Sequence, residues 1–308
     1  MVKRLLVSVE GRELELSNLD KVLYPQTGFT KGEVIDYYTR VSPVLLPHLA
    51  DRALTRIRYP NGVATPGFFE KNAPAGTPDW VRTERLPAPR SRSGNDMLDY
   101  IVVECLATLV WLANLAALEL HTHQWLIGAA GPDLLVVDLD PGAPAGLPEC
   151  SAVAVLMRER LAADGITAYP KTSGKKGMQL CCPVSGEQTS AEVSAYAKRI
   201  AEELQRQYPD AVTAQMARNL RPGKVFIDWS QNSAAKTTVT PYSLRAQPEP
   251  SVSTPLTWDE VATGEVRAAD LTAPVVLRRI EEHGDLLGAL CEPGPRVPEP
   301  PRGRTSRR

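Results

Sequence analysis

Cysteine is sparse and poorly spaced for metal. The five, at 105, 150, 181, 182 and 291, form no C-x-x-C pair, and structural zinc sites need clustered Cys or His ligands. Vicinal Cys181 and Cys182 would face opposite sides of a strand and read as reduced, packed thiols. Long apolar runs are also missing. Leu106 to Leu118, about 13 residues interrupted by Thr108 and Asn114, falls short of the roughly 20 that span a bilayer. The N-terminus meets Glu10 too early for a signal peptide, so a cytoplasmic location, and no membrane partner, is expected. Neither sign of charge dominates: the formal balance is −1. A histone-like binder is thereby excluded, although local patches can still hold nucleic acid. What remains is ordinary for a folded protein, 43% hydrophobic and 23% charged over 308 residues, enough for one large domain or two ordinary ones.

Residues 2–16 read as a hairpin around Glu10-Gly11. Thr30 and Glu33 make a capping box, and the helix it opens should break near Pro43 or Pro47. Residues 53–60 read as a strand, 60–97 as a Pro/Gly/Arg-rich loop, and 104–120 as an apolar, mostly buried helix. A strand over 133–140 ends in Pro-Gly. A helix over 151–164 stops at Gly165, and TAYPK and MQLCCPV flank the glycine loop TSGKKG. A second box, Thr189 and Glu192, opens a helix to Tyr208. KVFIDWS is a further strand. A third box, Thr257 to Glu260, and a helix near 275–290 close the folded part. Pro293 to Arg308 reads as a disordered basic tail or linker.

The sharpest chemical feature is Asp138-Leu139-Asp140. Strand alternation places Leu134, Val136, Asp138 and Asp140 on one face. Carboxylates at i and i+2 lie about 7 Å apart and repel by roughly 2–3 kcal/mol at an effective dielectric near 20, which a divalent cation would reverse. The bland alternative is a solvated strand end. Asp228 adds a third carboxylate in an otherwise apolar strand, where it needs a partner: a metal, or else Lys224 or Arg221. TSGKKG suits phosphates through its backbone N–H groups and lysines, but reads equally as a tight hairpin; it is not a Walker A box. Residues 215–245 carry Arg218, Arg221, Lys224, Lys236 and Arg245 against Asp228 alone. Together these fit two-metal phosphoryl transfer on a nucleotide.

Other features stay open between two readings. His121 and His123 would share a strand face and could ligate metal, or are hydrogen-bonded surface groups. Lys31, at the first position of the capped helix, and nearby Lys21 suit an anion through free N–H groups and the helix dipole, or are solvated lysines. Phe68 and Phe69, two of only four Phe, offer a base-stacking platform in a loop, or anchor that loop in the core.

LDKVLYPQTGFTKGEVIDYY, FFEKNAP, VVDLDPG, TSGKKG and KVFIDWSQNSAAKTTVTPYSLR occur in this order. In this the chain resembles the polymerase domain of bacterial DNA ligase D, in the archaeo-eukaryotic primase superfamily, from about residue 10 to 290. The resemblance implies a primase-polymerase of non-homologous end joining, extending a 3′ primer end with a preference for ribonucleotides. It implies manganese in preference to magnesium, nucleoside triphosphates, and DNA with gaps or broken ends carrying a recessed 5′-phosphate. Ku and a DNA ligase, in cis or in trans, are implied partners, and the nucleoid the implied location.

By motif, Asp138, Asp140 and Asp228 become the catalytic metal ligands. Ser173, Lys176 and Arg245 bind the triphosphate, with His121 near the nucleotide. Lys21 and Lys31 hold the 5′-phosphate, and Phe68 and Phe69 stack on the nucleotide or template. Gln231, Asn232 and Lys236 receive no role. The family pattern G-[ILV]-H is here Gly177-Met178-Gln179, so Gln179 is expected to offer the triphosphate a neutral amide in place of an imidazole.

The expected fold is α+β: a mixed, largely antiparallel catalytic sheet with packed helices over 101–292, and a flanking α/β subdomain over 1–100 with the 5′-phosphate site. The competing functions are a D-x-D glycosyltransferase, a two-metal nuclease and a non-catalytic DNA-end-binding module.

Overall fold

The computed structural model describes residues 4–88 and 96–299. A hairpin of β1 (Arg4–Val9) and β2 (Arg12–Ser17) opens the chain. Its two-residue turn places Glu10 and Gly11 at φ 50° and 76°, the paired positive dihedrals that suit the twist of a tight hairpin. A small ribbon of β3 (Val22–Tyr24) and β4 (Phe29–Thr30) leads into α1 (Lys31–Leu49). Thr30 and Glu33 form the expected capping box. The helix does not break at its prolines. Pro43 leaves the Thr39 carbonyl without its usual donor, and the Ser42 hydroxyl supplies one at 2.8 Å; Pro43 and Pro47 both face solvent.

Next come β5 (Leu54–Arg58), β6 (Phe68–Glu70), β7 (Thr83–Pro87), β8 (Met97–Ile101), α2 (Leu106–Asn114) and β9 (Ala117–Thr122). Two expectations change here. The segment 60–97 holds two strands besides loop, with 89–95 outside the described residues. The apolar stretch 104–120 is a helix only to Asn114; the chain turns at Ala116, φ 58°, and continues as a central strand. A continuous apolar run does not by itself distinguish buried helix from buried strand.

The second half comprises β10 (Leu134–Pro141), α3 (Leu147–Ala163), β11 (Tyr169–Thr172), β12 (Met178–Pro183), α4 (Ser190–Gln207), β13 (Val212–Thr213), β14 (Val225–Asp228), β15 (Thr238–Val239), α5 (Trp258–Thr263) and α6 (Ala273–His283). Five strands form a sheet in the order β11-β12-β10-β14-β13, antiparallel except for the last pair. A second sheet runs β15-β9-β5-β6, all antiparallel. It draws strands from both sides of residue 100. The fold is α+β and largely antiparallel, as expected.

Alternation along β10 sorts its two faces. Leu135, Val137 and Leu139 join Leu180 and Cys182 of β12 in a core covered by α3 and α4, so Asp138 and Asp140 point the other way. A separate core packs α1, α2 and β9 with Tyr242, Leu244 and Leu277. Cys181 and Cys182 do face opposite sides: Cys182 enters the α3/α4 core, while Cys181 packs on Leu287 and Leu290.

Residues 293–299 do not belong to the expected tail. Gln188 brackets Val297 through both of its backbone polar groups, at 2.7 and 3.0 Å, and Val297 is buried in the α3/α4 core. Residues 300–308 lie outside the described residues. Among the described residues no helix is long and apolar enough to cross a membrane.

Candidate active site

The five-stranded sheet sets one row of side chains across four strands. Lys171 on β11 stands opposite Gln179 on β12, Gln179 opposite Asp138 on β10, and Asp138 opposite Asp228 on β14. Directly opposed residues in a ladder share a face, so these four converge. Asp228 ends its strand by capping the following turn, accepting from Ser230 N at 3.0 Å and Ser230 Oγ at 2.5 Å. Lys236 Nζ lies 3.1 Å from its Oδ2. The partner of Asp228 is therefore Lys236, not Lys224 or Arg221. Burial, reinforced by the charges of Asp140 and Asp228, pushes the Asp138 carboxyl up to about 7 despite a hydrogen bond from Gln179.

Gln179 does not point at open solvent. Its amide N–H donates to Asp138 Oδ1 at 2.9 Å, and its carbonyl accepts from the fully buried Lys171 Nζ at 2.6 Å. Lys171 also donates to Ser253 Oγ at 2.7 Å. Burial lowers the Lys171 ammonium to about 8.

In front of this row opens a cleft of about 580 Å³, whose wall includes His121, Asp138, Asp140, Ser173, Lys176 and Arg245. These six were expected to meet metal and nucleotide; Gln179 lines the cleft as well, and Asp228 stands behind Asp138 in the row without lining it. Ser173 shapes the glycine loop, accepting from Lys175 N at 3.3 Å and Gly177 N at 3.2 Å. A Cβ at Gly177 would meet the Leu139 carbonyl at 2.5 Å, so only glycine lets this loop lie against β10. Lys176 Nζ reaches the Pro141 carbonyl at 3.3 Å. The basic stretch divides: Arg245 lines the cleft and Lys236 holds Asp228, whereas Arg221 stacks on Phe226 at 3.6 Å and Lys224 binds the Pro209 carbonyl at 2.6 Å.

Sequence reasoning missed Glu119, the hub behind the cleft residues His121, Lys175 and Arg245. It is 1% exposed. Around it gather His121 Nε2 at 3.1 Å, Arg245 Nη2 and Lys175 Nζ at 3.5 Å each, and the Ala246 N–H at 3.0 Å. Burial alone would raise Glu119, but the His121 bond and the Arg245, His121 and Lys175 charges hold it at about 2. Burial likewise lowers the His121 imidazole. Arg245 Nε, buried, has no protein partner. Alternation with His121 was the available signal for Glu119. His123 does not share this site: it packs against Tyr100 and Trp125. Asn232, left without a role, extends the sheet by bonding both backbone groups of Val136 at 2.8 Å.

The remaining expected residues lie outside the cleft. Phe68 and Phe69 sit on edge strand β6, not in a loop, and are 55% and 60% exposed; neither anchors in the core. Lys31 does occupy the first position of α1, yet the N–H groups there are taken. Lys31 N bonds Lys21 O, Gly32 N bonds Leu19 O, and Glu33 N bonds the Thr30 hydroxyl. Any anion at this end would have to use the lysine side chains. Lys31 Nζ donates to Ser17 O at 2.5 Å, and burial together with Lys21 lowers it to about 8.

The residues present suit a divalent ion in part. The crowded carboxylates, with Asp138 raised and Asp228 holding an ammonium, form an anionic donor set that a cation would relieve. Among the described residues no three His, Cys, Asp or Glu side chains already stand close enough together to hold a metal ion.

Comparison with known proteins identifies the family and the fold. The family model for the LigD primase-polymerase domain matches residues 30–287. The multifunctional non-homologous end joining protein LigD of Mycolicibacterium smegmatis is 42% identical over 285 residues, covering 92% of this chain and 36% of that protein. The bifunctional LigD of Bacillus subtilis is 35% identical over 273 residues, covering 88% and 43%. This chain thus spans well under half the length of either relative. The solved polymerase domain of Mycobacterium tuberculosis ligase D, in complex with DNA, superposes with a TM-score of 0.84 at 41% identity, covering 90% of this chain and 98% of that one. The chain belongs to the LigD primase-polymerase domain family of nucleotidyltransferases.

Proposed function

We propose that this chain adds nucleotides to a 3′ primer end during gap filling in non-homologous end joining, with Asp138, Asp140 and Asp228 holding divalent metal. One observation carries the reading. Asp138 and Asp140 line one cleft with Ser173, Lys176 and Arg245, and Asp228 is the cross-strand neighbour of Asp138. Carboxylates and cations meeting in one cleft are what a metal–triphosphate substrate requires. A bound divalent ion would supply Lewis-acid activation of the primer hydroxyl and charge neutralisation of the triphosphate.

The chain's own part is positioning and electrostatics. Arg245, with its unpartnered Nε, and Lys175 and Lys176 face the charge that grows on departing pyrophosphate. Glu119 fixes Arg245, Lys175 and His121 relative to one another. Ser173 holds the glycine loop in shape. Lys21 and Lys31 form the 5′-phosphate site through their ammonium groups, and exposed Phe68 and Phe69 supply a stacking platform for template or nucleotide. Manganese over magnesium, ribonucleotide preference, and partnership with Ku and a ligase follow from the family likeness. The glycosyltransferase and nuclease readings lack that support, and an end-binding module would have no use for the carboxylate row.

The test is primer extension on gapped, 5′-phosphorylated DNA with matched ribo- and deoxynucleotides and manganese. Extension favouring ribonucleotides, abolished by Asp138→Ala and by Asp228→Ala with DNA binding retained, is the expected result. Near-normal extension by either variant would overturn the metal assignment, and equal or deoxy-favouring incorporation would remove the ribonucleotide preference.

A further inference from the structure

Gln179 was expected to face the triphosphate, and it does line the cleft. Its amide, however, is already engaged on both sides. The amide sits between a group that can only donate, the Lys171 ammonium, and one that, ionised, can only accept, the Asp138 carboxylate. Only one orientation of the amide satisfies both: carbonyl toward Lys171 at 2.6 Å and N–H toward Asp138 at 2.9 Å. Register enforces this, because Lys171, Gln179 and Asp138 are successive cross-strand neighbours. Swinging the amide to a phosphate would take an acceptor from a fully buried ammonium and a donor from a half-buried carboxylate. The first is itself fixed by Ser253, whose hydroxyl donates onward to the Thr172 carbonyl at 2.9 Å.

We propose that Gln179 is a positioning residue for Asp138: braced by Lys171, it fixes the carboxylate's Oδ1 and so sets metal affinity without contacting the nucleotide. This rests on the metal assignment made above for Asp138. The consequence is specific to the Lys171–Gln179–Asp138 row. A fixed Oδ1 leaves Oδ2 as the freer ligand oxygen and spares a bound ion the entropy of ordering the side chain. The bond to an ionised acceptor is of the stronger, charge-assisted kind.

The test uses Gln179→Met, which keeps length and loses both hydrogen bonds, Lys171→Met, and the double variant. Each is first checked by thermal melting, with Gln179→Asn, too short to span the gap, replacing any variant that does not fold. Manganese binding to the nucleotide-free protein is read from the loss of the free-ion electron paramagnetic resonance signal. Primer extension then separates nucleotide KM, at saturating manganese, from the manganese requirement.

Each single variant should weaken manganese binding about tenfold, equivalent to about 1.4 kcal/mol. The double variant should be little worse than either, because the two residues act as one brace. Nucleotide KM at saturating manganese should not move. A raised nucleotide KM with unchanged manganese binding would overturn the proposal and return Gln179 to the triphosphate. Variants indistinguishable from the parent in both measurements would overturn it as well. Failure of the underlying site is separate: it would show as Asp138→Ala that still binds manganese and extends primers.

Discussion

Removing the charge of Asp285 should reshape the pH dependence of stability, because this carboxylate ties the end of α1 to the C-terminal segment. Asp285 accepts from His48 Nε2 at 2.9 Å, from the Tyr242 hydroxyl at 2.7 Å and from Leu287 N at 2.9 Å. His48 lies in the last turn of α1, where the helix dipole also favours a cation. Burial alone would lower its pKa, but the Asp285 bond, with a contribution from Cys291, raises it to about 9.

A folded value above the unfolded 6.5 means that the stabilisation is complete below pH 6.5. It is lost progressively as pH rises toward 9, where the unfolded chain has released the proton and the native chain still holds it. The side chain is only 5% exposed, so little is lost to solvent screening, and the gap of 2.5 pH units corresponds to about 3 kcal/mol. In Asp285→Asn the imidazole loses its main support, keeping burial and the weaker Cys291 contact, and its pKa falls well below that of the parent.

Urea denaturation of parent and Asp285→Asn at pH 6, 7, 8 and 9.5 checks this. Lys31 and Lys171, both lowered to about 8, gain stability with rising pH in that range, but do so in both proteins and cancel in the difference. The stability gap should be widest at pH 6 and narrow by about 3 kcal/mol at pH 9.5. A gap that stays constant across the series would refute the reasoning.

Three further outcomes are expected. Gly177→Ala forces a methyl against the Leu139 carbonyl and should cost about 1–3 kcal/mol in urea melts, with extension falling further than stability because the glycine loop moves away from β10. Lys21→Ala with Lys31→Ala should remove the advantage of a 5′-phosphate in binding gapped DNA, about 1.5–3 kcal/mol per well-formed contact; equal weakening on unphosphorylated gaps would make these lysines general electrostatics. Phe68→Ala with Phe69→Ala, both exposed, should leave the melting temperature unchanged while weakening binding to gapped DNA by about 1–3 kcal/mol per stacked base.

What the sequence determined by itself was short in range. The three capping boxes, the Glu10-Gly11 turn, the D-x-D strand and the opposed faces of Cys181 and Cys182 all follow from dihedral preference and periodicity within a few residues. The order of motifs carried the family, and with it the α+β fold and the set of residues that line the cleft. Tertiary structure decided whatever depends on which strands lie side by side. The apolar stretch after Cys105 became helix and then strand because β9 was needed between β5 and β15, and local periodicity does not encode that neighbour. Asp228 found Lys236, where chain proximity had suggested Lys224 or Arg221. Gln179 looked like a phosphate ligand along the chain, but the ladder seats it between Lys171 and Asp138. Glu119 showed no anomaly in sequence and became the hub of four contacts only once Arg245 and Lys175 came across from distant segments. For Gln179 the deciding quantity was cross-strand register with Asp138, 41 residues away; for Asp228 and Glu119 it was where loops outside the strands came to lie, and no single segment contains either.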